Sequence, residues 1–594
     1  MGKKGKRLVS SDVDEEARSS RRSTPTSLTR PISPPLKKRR LTPPAELQEV
    51  PDVLEGLPDE EAAEPEESSR VKGKSVARDE TGVPEESHPQ KLSEAGQSSS
   101  SQRIFKSPFR LTRIQDLPDE LNKDTITLKD MLGDPLISEC WEFNYLHDID
   151  FLMSQFDEDV RSLVKVNVVH GFWKKEDPHR LDLQTQASQY QNVSLHAAYL
   201  SEIFGTHHSK MLILLRHDET AQVIIHTANM IVRDWRNMTQ AAWLSPRLPL
   251  LKAPQQPVPD QDLKVGSGQK FKVDLLNYLR SYSSHRQQTC KPIIDQLMKY
   301  DFSAIRGSLI SSVPGRHNVN DDSPTKFGWA ALRQALKAVP IHPGKSDIVI
   351  QISSIATLGP TDNWLKNTLF AALATGRDET YKLQRPKPDF KVVFPTPDEI
   401  RRSLDGYASG GSIHTKIQSA QQAKQLQYLK PILYHWANDA PDGAKLGDDV
   451  VVKEAGRKRA APHVKTYIRY GNKSERTIDW ALITSANLSK QAWGEAVNSK
   501  SGEMRISSYE IGVLVWPGLF AEDAVMAATF LTDTPTTSED TEGSGGGGGP
   551  VVGLRMPYNL PLQHYGPREE PWVATASYAE PDWMGQIWPG GNDE

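Results

Sequence analysis

Two short stretches of this 594-residue chain set imidazole, ammonium and carboxamide groups at matching intervals. In the first, His208 and Lys210 stand two residues apart just before the apolar run 211–215, and Asn229 follows a second apolar run at 223–225. Residues i and i+2 of an extended chain project from one face, so His208 and Lys210 point the same way. The turn-like His217-Asp218-Glu219-Thr220 between the runs lets two adjacent strands bring His, Lys and Asn to one spot. Far downstream His463 and Lys465 open Thr466-Tyr467-Ile468, and the run from Trp480 delivers Asn487. The surroundings of each Asn match as well, His-Thr-Ala-Asn-Met against Thr-Ser-Ala-Asn-Leu. A single His-x-Lys means little, since most histidines are structural. Two sets with matching Asn argue for an internal duplication around a shared catalytic site.

The chemistry these groups suit is phosphoryl transfer. Lysine is a point charge with three donors, matched to non-bridging phosphate oxygens. Asn adds neutral amide donors, and histidine supplies a nucleophile and an acid/base. The set includes no carboxylate pair suited to Mg²⁺, and Cys140 and Cys290 cannot complete a four-ligand zinc site. The cradle itself carries the charge that a metal would otherwise supply, so the expected reaction uses no metal and no cofactor.

The elements that must position these groups alternate between apolar strand-like runs and helical spacing, which predicts α/β layering. Phe151-Leu152 with Val160 and Leu163-Val164 has helical spacing, Val166-Asn167-Val168-Val169 reads as a buried strand, and 347–352 reads as a strand ending at Ser353-Ser354. The expected organisation is a disordered charged tail over 1–102, a first catalytic half over 103–302 and a second over 303–594. The second half contains a flexible insertion at 533–549 that ends in five glycines. Trp572, Trp583 and Trp588 near the end read as core or staple residues.

The tail is poor in aromatics and charge-segregated. Lys and Arg outnumber Asp and Glu by twelve to four over residues 1–40, and 45–69 carries ten acids and no base. Its cluster Lys37-Lys38-Arg39-Arg40 reads as a nuclear import signal or a nucleic-acid-binding arm, which sets the expected location as the nucleus. Hydrophobic content of 37% fits a partly unpacked chain, and the net charge of −4 announces no overall basic field. Two cysteines favour a reducing compartment. No apolar run approaches the ~20 residues that span a bilayer, and no signal peptide is read at the N-terminus; the expectation is a soluble intracellular protein.

Two His-x-Lys motifs, each followed by a strand-borne polar residue, resemble the phospholipase D superfamily. With Asn in both copies, the stretches GTHHSKM, HTANMI, HVKTY and TSANLSKQAWG are similar to the tyrosyl-DNA phosphodiesterases, which clear 3′ DNA ends. The segment 508–513 and the Pro571-Trp572 tail match too, so the resemblance covers roughly 105–594. It implies two similar mixed-sheet domains flanked by helices and related by pseudo-two-fold symmetry. It further implies a phosphoric diester hydrolase of DNA repair acting on 3′-phosphotyrosyl bonds left by stalled topoisomerase IB, with other 3′ adducts as secondary substrates.

Carried over, the resemblance makes His208 the nucleophile that forms a phosphohistidine and His463 a protonated acid that later serves as base. The spacing alone is symmetric. Lys210, Lys465, Asn229 and Asn487 would bind the non-bridging oxygens, Glu510 would orient His208, and Gln240 would orient His463. Phe204 matches a base-stacking aromatic, Ser353, Ser354 and Ser489 match donors to DNA phosphates, and Lys416 would either add a phosphate contact or simply be exposed. Lys416 lies where Gly410-Gly411-Ser412 continues as Ile413-His414-Thr415-Lys416, whereas family members carry Leu-Pro-Tyr-Ser. Implied partners are single- or double-stranded DNA 3′ ends and a topoisomerase-derived tyrosyl peptide, with no membrane and a monomeric chain. The rivals are a lipid phospholipase of the same superfamily and a non-catalytic DNA-end-binding scaffold.

Overall fold

The computed structural model describes residues 102–590 apart from 203, 254–258, 260–261, 285–287, 378–385, 448, 472–476 and 536–548. The tail with its basic cluster, and most of the glycine-rich insertion, lie outside the described residues.

Two mixed sheets repeat one strand order. In the first, Ile137–Phe143, Lys165–His170 and Val193–Ala197 run parallel. Met211–Arg216 pairs antiparallel to Ile137–Phe143, and Thr220–His226, Ala241–Leu244 and Phe109–Leu111 continue antiparallel beyond it. In the second, Asp347–Gln351, Asp389–Val393 and Leu433–Tyr434 are the parallel trio. Thr466–Tyr470, Thr477–Thr484, Glu510–Val515 and Ser308–Ser312 then follow in the same antiparallel sequence. The second sheet adds a longer edge, Val525–Thr529 with Val551–Arg555 and Ile104–Phe105, where the first has Leu248–Pro249 on Thr220–His226. Residues 104–105, although at the start of the chain's first half, thus pair in the second sheet.

Strands buried on both faces explain why they read as continuous apolar runs rather than alternations. Ile213, Val223 and Ile225 of the first sheet share one core with Ile468, Ala481, Ile483 and Val513 of the second. The opposite faces pack outward. Leu212, Leu214 and Ile224 meet Ile149 and Leu152 of the helix Ile149–Ser154. Tyr467, Trp480 and Leu482 meet Leu332 and Leu336 of the helix Gly328–Leu336. The layers are therefore helix, sheet, sheet, helix, with the two sheets face to face.

The helical spacing around Phe151 is realised only over Ile149–Ser154, where the Asp148 carboxylate accepts from Phe151 N at 2.9 Å as an N-cap. Leu163, at 76% exposure, belongs to no buried face. Trp572 is fully buried and its Nε1 donates to the carbonyls of Gly410 and Ile413 at 3.1 Å each, stapling that turn. Trp583 is instead 66% exposed. No helix among the described residues is long and apolar enough to cross a membrane.

Candidate active site

In each sheet the strand that follows His-x-Lys starts where its antiparallel neighbour, leading to Asn, ends. Met211 pairs with Ile225, and Thr466 with Ile483. Lys210 and Asn229 therefore sit at one sheet end, as do Lys465 and Asn487. The two ends are stitched across the halves by backbone hydrogen bonds. His208 N donates to Tyr509 O at 3.0 Å and Tyr509 N to Thr206 O at 2.9 Å. In the mirror arrangement Thr239 N donates to Ala461 O at 2.9 Å and His463 N to Thr239 O at 3.1 Å. Each histidine thus lies against the start of the other half's third strand, where Glu510 and Gln240 stand.

Those two residues give the two imidazoles opposite instructions. Glu510 Oε2 lies 2.9 Å from His208 Nδ1. A carboxylate only accepts, so Nδ1 carries the proton and Nε2 keeps a lone pair. Ser485 Oγ donates to the same carboxylate oxygen at 2.5 Å, and Ile511 N donates to Ser485 Oγ at 3.0 Å. On the other side Gln240 Nε2 is 2.9 Å from His463 Nδ1. The amide's orientation is fixed at both ends. Its Oε1 accepts from Thr227 Oγ1 at 2.7 Å, and its Nε2 donates to the carbonyl of Asp234 at 3.3 Å, an obligate acceptor. The amide N–H therefore faces His463 Nδ1 at the shortest distance and favours it as an acceptor, with the proton of neutral His463 on Nε2; Asp234 Oδ2 and Gln240 Oε1 stand farther from the same nitrogen, at 3.3 Å each. Thr227 and Ser485 are the residues two before each Asn, so the repeated text contains the hydroxyls that hold both braces.

Charge is concentrated here. Lys210 and Lys465 are fully buried. Lys210 Nζ donates to His208 O at 3.0 Å; Lys465 Nζ donates to His463 O at 2.5 Å and lies 3.2 Å from each His463 ring nitrogen. Burial pushes Lys210 down to about 8 against the pull of Glu510 and Asp234. Burial, then Lys210, holds Lys465 well below the usual ammonium range. His208 is lowered by burial, with Glu510 opposing, and His463 is held well below its ordinary value by burial and then by Lys465 and Lys210. The resemblance implies a protonated His463 at the outset; in the free site burial first, and then the two lysines, favours the neutral form of both imidazoles. The Asn pair differs too. Asn487 Oδ1 accepts from Ser353 N, Ser353 Oγ and Ser354 N at 3.0–3.3 Å, so its amide N–H groups are what it has left to offer. Asn229 donates from N and Nδ2 to Asp234 Oδ2 at 2.7 and 2.9 Å.

The sequence profile of the tyrosyl-DNA phosphodiesterases matches residues 108–566. The chain belongs to the tyrosyl-DNA phosphodiesterase family. A probable tyrosyl-DNA phosphodiesterase of Schizosaccharomyces pombe is 32% identical over 553 residues, 82% of this chain and 97% of that one. Tyrosyl-DNA phosphodiesterase 1 of Arabidopsis thaliana is 30% identical over 511 residues, 81% of this chain and 76% of that one. A crystal structure of the yeast tyrosyl-DNA phosphodiesterase superposes with a TM-score of 0.54 at 20% identity, covering 78% of this chain and 98% of that one, which speaks to the fold. This tyrosyl-DNA phosphodiesterase family member is a phosphodiester hydrolase of DNA repair, and its mixed α/β fold is that of the family.

Within that family site, the residues read as DNA contacts divide. Phe204 is 63% exposed, four residues before His208. Ser353 and Ser354 are committed through their backbone N–H groups to Asn487. Ser489 caps the helix Lys490–Trp493 by accepting from Ala492 N at 3.0 Å. Lys416 is half-buried. Reading for function from sequence gave no role to Asp234, five residues beyond Asn229, whose Oδ2 lies 3.3 Å from His463 Nδ1, although the Asp234-Trp235 pair is part of the family resemblance. It also passed over Thr227, Ser485, Arg233 and His414.

Proposed function

We propose that this phosphodiesterase hydrolyses the 3′-phosphotyrosyl bond that joins DNA to a stalled topoisomerase IB, through a covalent phosphohistidine and without a metal. The observation that carries the reading is the pairing of His208 Nδ1 with the Glu510 carboxylate and of His463 Nδ1 with the Gln240 amide nitrogen, at 2.9 Å each, which favours opposite tautomers. His208 offers the Nε2 lone pair that an attack on phosphorus requires. His463 offers an Nε2 proton to a departing oxygen. The lysines and the Asn amides take the non-bridging oxygens.

The phosphodiester's negative charge, set between Lys210 and Lys465, offsets the two ammoniums that depress His463, so this ring takes up a proton at Nδ1. Asp234 Oδ2 and Gln240 Oε1, each 3.3 Å away, are the acceptors for that proton. His208 Nε2 then bonds to phosphorus, the P–O bond to tyrosine breaks, and His463 Nε2–H protonates the phenolate. The lone pair freed on His463 Nε2 next takes a proton from water, whose oxygen displaces His208 and leaves a 3′-phosphate. A 3′-phosphoglycolate or a 3′-terminal nucleoside would be released by the same steps, the latter as exonuclease action. DNA is held with Phe204 against a base, a contact tolerant of sequence. The Lys37-Lys38-Arg39-Arg40 cluster supports nuclear import, and the chain works as a monomer.

The test is a single-stranded oligonucleotide bearing 3′-phosphotyrosine, incubated in excess EDTA. Release of a 3′-phosphate end is expected, with no turnover from His208→Ala and a DNA-linked protein accumulating with His463→Ala. A phenol leaves readily (pKa about 10), so loss of His463 stalls enzyme release more than bond cleavage. Cleavage that needs added Mg²⁺ would overturn the metal-free reading. Tight DNA binding without cleavage under either condition would favour the scaffold.

A further inference from the structure

Beside the catalytic groups lies a guanidinium with nothing to hold. Arg233 immediately precedes Asp234, the carboxylate 3.3 Å from His463 Nδ1. Among the described residues Arg233 makes no ion pair and donates no hydrogen bond, and its Nε is buried without a partner. Arg402, by contrast, meets Asp398 at 2.7 Å and Asp439 at 3.3 Å. An unpaired, partly desolvated guanidinium is costly unless an anion arrives. The chain makes room for this one at Gly411, where a Cβ would stand 2.9 Å from Arg233 Nη1.

A second donor faces the same place. His414 is latched by backbone hydrogen bonds to the strand end whose Ser353 and Ser354 N–H groups hold Asn487: His414 N donates to Ser353 O, and Ile355 N to His414 O, at 2.9 Å each. The turn before it is stapled by Trp572. Its ring nitrogens take no hydrogen-bond partner among the described residues, and the imidazole lies within electrostatic reach of Arg233, Lys465 and His208. Burial and then Arg233 lower it to about 4, so near pH 7 it is a neutral N–H donor.

We infer that Arg233 and His414 form an anion subsite on the His463 side of the cleft that receives a carboxylate carried by the leaving group. The inference rests on the proposed role of His463 as proton donor, because that role places the leaving group on this side. The scissile phosphate already has Lys210, Lys465 and the Asn amides. A planar guanidinium fork matches a carboxylate in two-pronged fashion. Two leaving groups carry such a group, a tyrosyl peptide with a nearby carboxylate and glycolate.

Two oligonucleotides decide it, one ending in 3′-phospho-N-acetyltyrosine and one in its carboxamide, which differ by one charge and share the same phenol. The carboxylate substrate should show a kcat/KM about tenfold higher, the size of one charge-assisted hydrogen bond. Arg233→Met should bring that ratio close to one. Gly411→Ala, which displaces only the mobile end of the arginine, should do the same and covers the case in which Arg233→Met misfolds. A 3′-phosphoglycolate end should lose rate in these variants as the carboxylate substrate does; if it does not, glycolate is excluded and the peptide carboxylate remains. Equal rates for the pair in the unaltered protein, or a ratio unmoved by both variants, would overturn the subsite. So would a loss in Arg233→Met that grows with oligonucleotide length, which would assign the guanidinium to a DNA phosphate. Binding of the same pair to His208→Ala reads the subsite without turnover, so a failure of the proposed chemistry is distinguishable from a failure of this inference.

Discussion

The first and second His-Lys-Asn sets occupy equivalent corners of two sheets with the same strand order, yet they are not interchangeable. Each histidine is braced from the opposite half, and each brace is held by a hydroxyl two residues before an Asn. What differs is one atom type. Glu510 presents an oxygen to His208, and Gln240 presents an amide nitrogen to His463. The environments otherwise push alike, since burial lowers both imidazoles and both lysines. A duplicated site can therefore acquire two chemical roles by changing which ring nitrogen holds the proton, and the carboxylate beside His208 also opposes the lowering that His463 undergoes in full.

Exchanging the braces breaks the comparison most severely. With Glu510→Gln, the carboxylate that fixes the Nδ1 proton of His208 is lost, and an amide N–H facing Nδ1 would move the proton to Nε2, the attacking atom. A fall in single-turnover rate of about 10³ to 10⁴ is expected, the scale seen when a catalytic histidine is held in the wrong tautomer. With Gln240→Glu, an anion faces His463 Nδ1 and stabilises its protonated form. Cleavage should persist while water activation slows, so the covalent intermediate accumulates and turnover falls about 10². Imidazole nitrogen shifts measured by NMR would read the tautomers directly. Equal effects of the two exchanges on the first step would end the assignment of distinct roles.

The pH profile of kcat/KM, which reports the free enzyme, sharpens the comparison further. Protonation of His208 removes its nucleophilic lone pair, and burial lowers its pKa, so the acid limb should lie below 6.5. Lys210, depressed to about 8, must be charged to hold phosphate, so the rate should fall about tenfold per pH unit above that value. Lys210→Arg keeps its charge through this range and should reshape the alkaline limb, leaving only the contribution of Lys465, whose ammonium form burial also disfavours, at a lower plateau. An alkaline limb unmoved by the substitution would assign it elsewhere.

How much of this was legible in the sequence follows from which interactions are local. The His-Lys-Asn sets were legible because a strand alternates faces and a hairpin returns the chain, so spacing alone places the groups. The apolar runs at 211–215 and 223–225 likewise became buried strands of the first sheet. Glu510 and Gln240 came only through resemblance, because each acts on a histidine 302 or 223 residues away. Asp234 was hidden for another reason. Its value comes from the turn after Asn229, where one carboxylate gathers two donors from that residue and lies near His463. Ser353 and Ser354 read as donors to DNA phosphates; the structure directs their backbone N–H groups at the side-chain carbonyl of Asn487, a pairing between separate strand ends that no spacing predicts. The serine at 489 forms the helix cap that a Ser before a helix suggests.

The finest contrast lies in the two hydroxyls. Ser485→Ala removes a donor from the Glu510 carboxylate, whose charge is then less offset and stabilises the His208 imidazolium more. The acid limb of kcat/KM should move to higher pH, with a fall in rate at neutral pH of several-fold and a stability loss of about 1 kcal/mol for the hydrogen bond. Thr227→Val frees the Oε1 end of Gln240, so the amide loses one of its two anchors and the His463 tautomers mix. A similar several-fold fall is expected, but no carboxylate faces the substituted position on the His463 brace, so the acid limb should stay where it is. Equivalent positions in the repeat would thus differ in the pH axis and agree in the rate axis. If both substitutions shift the limb, the two braces are electrostatically coupled through the lysines between them, and the division of roles is a property of the whole cluster instead of each histidine's own partner.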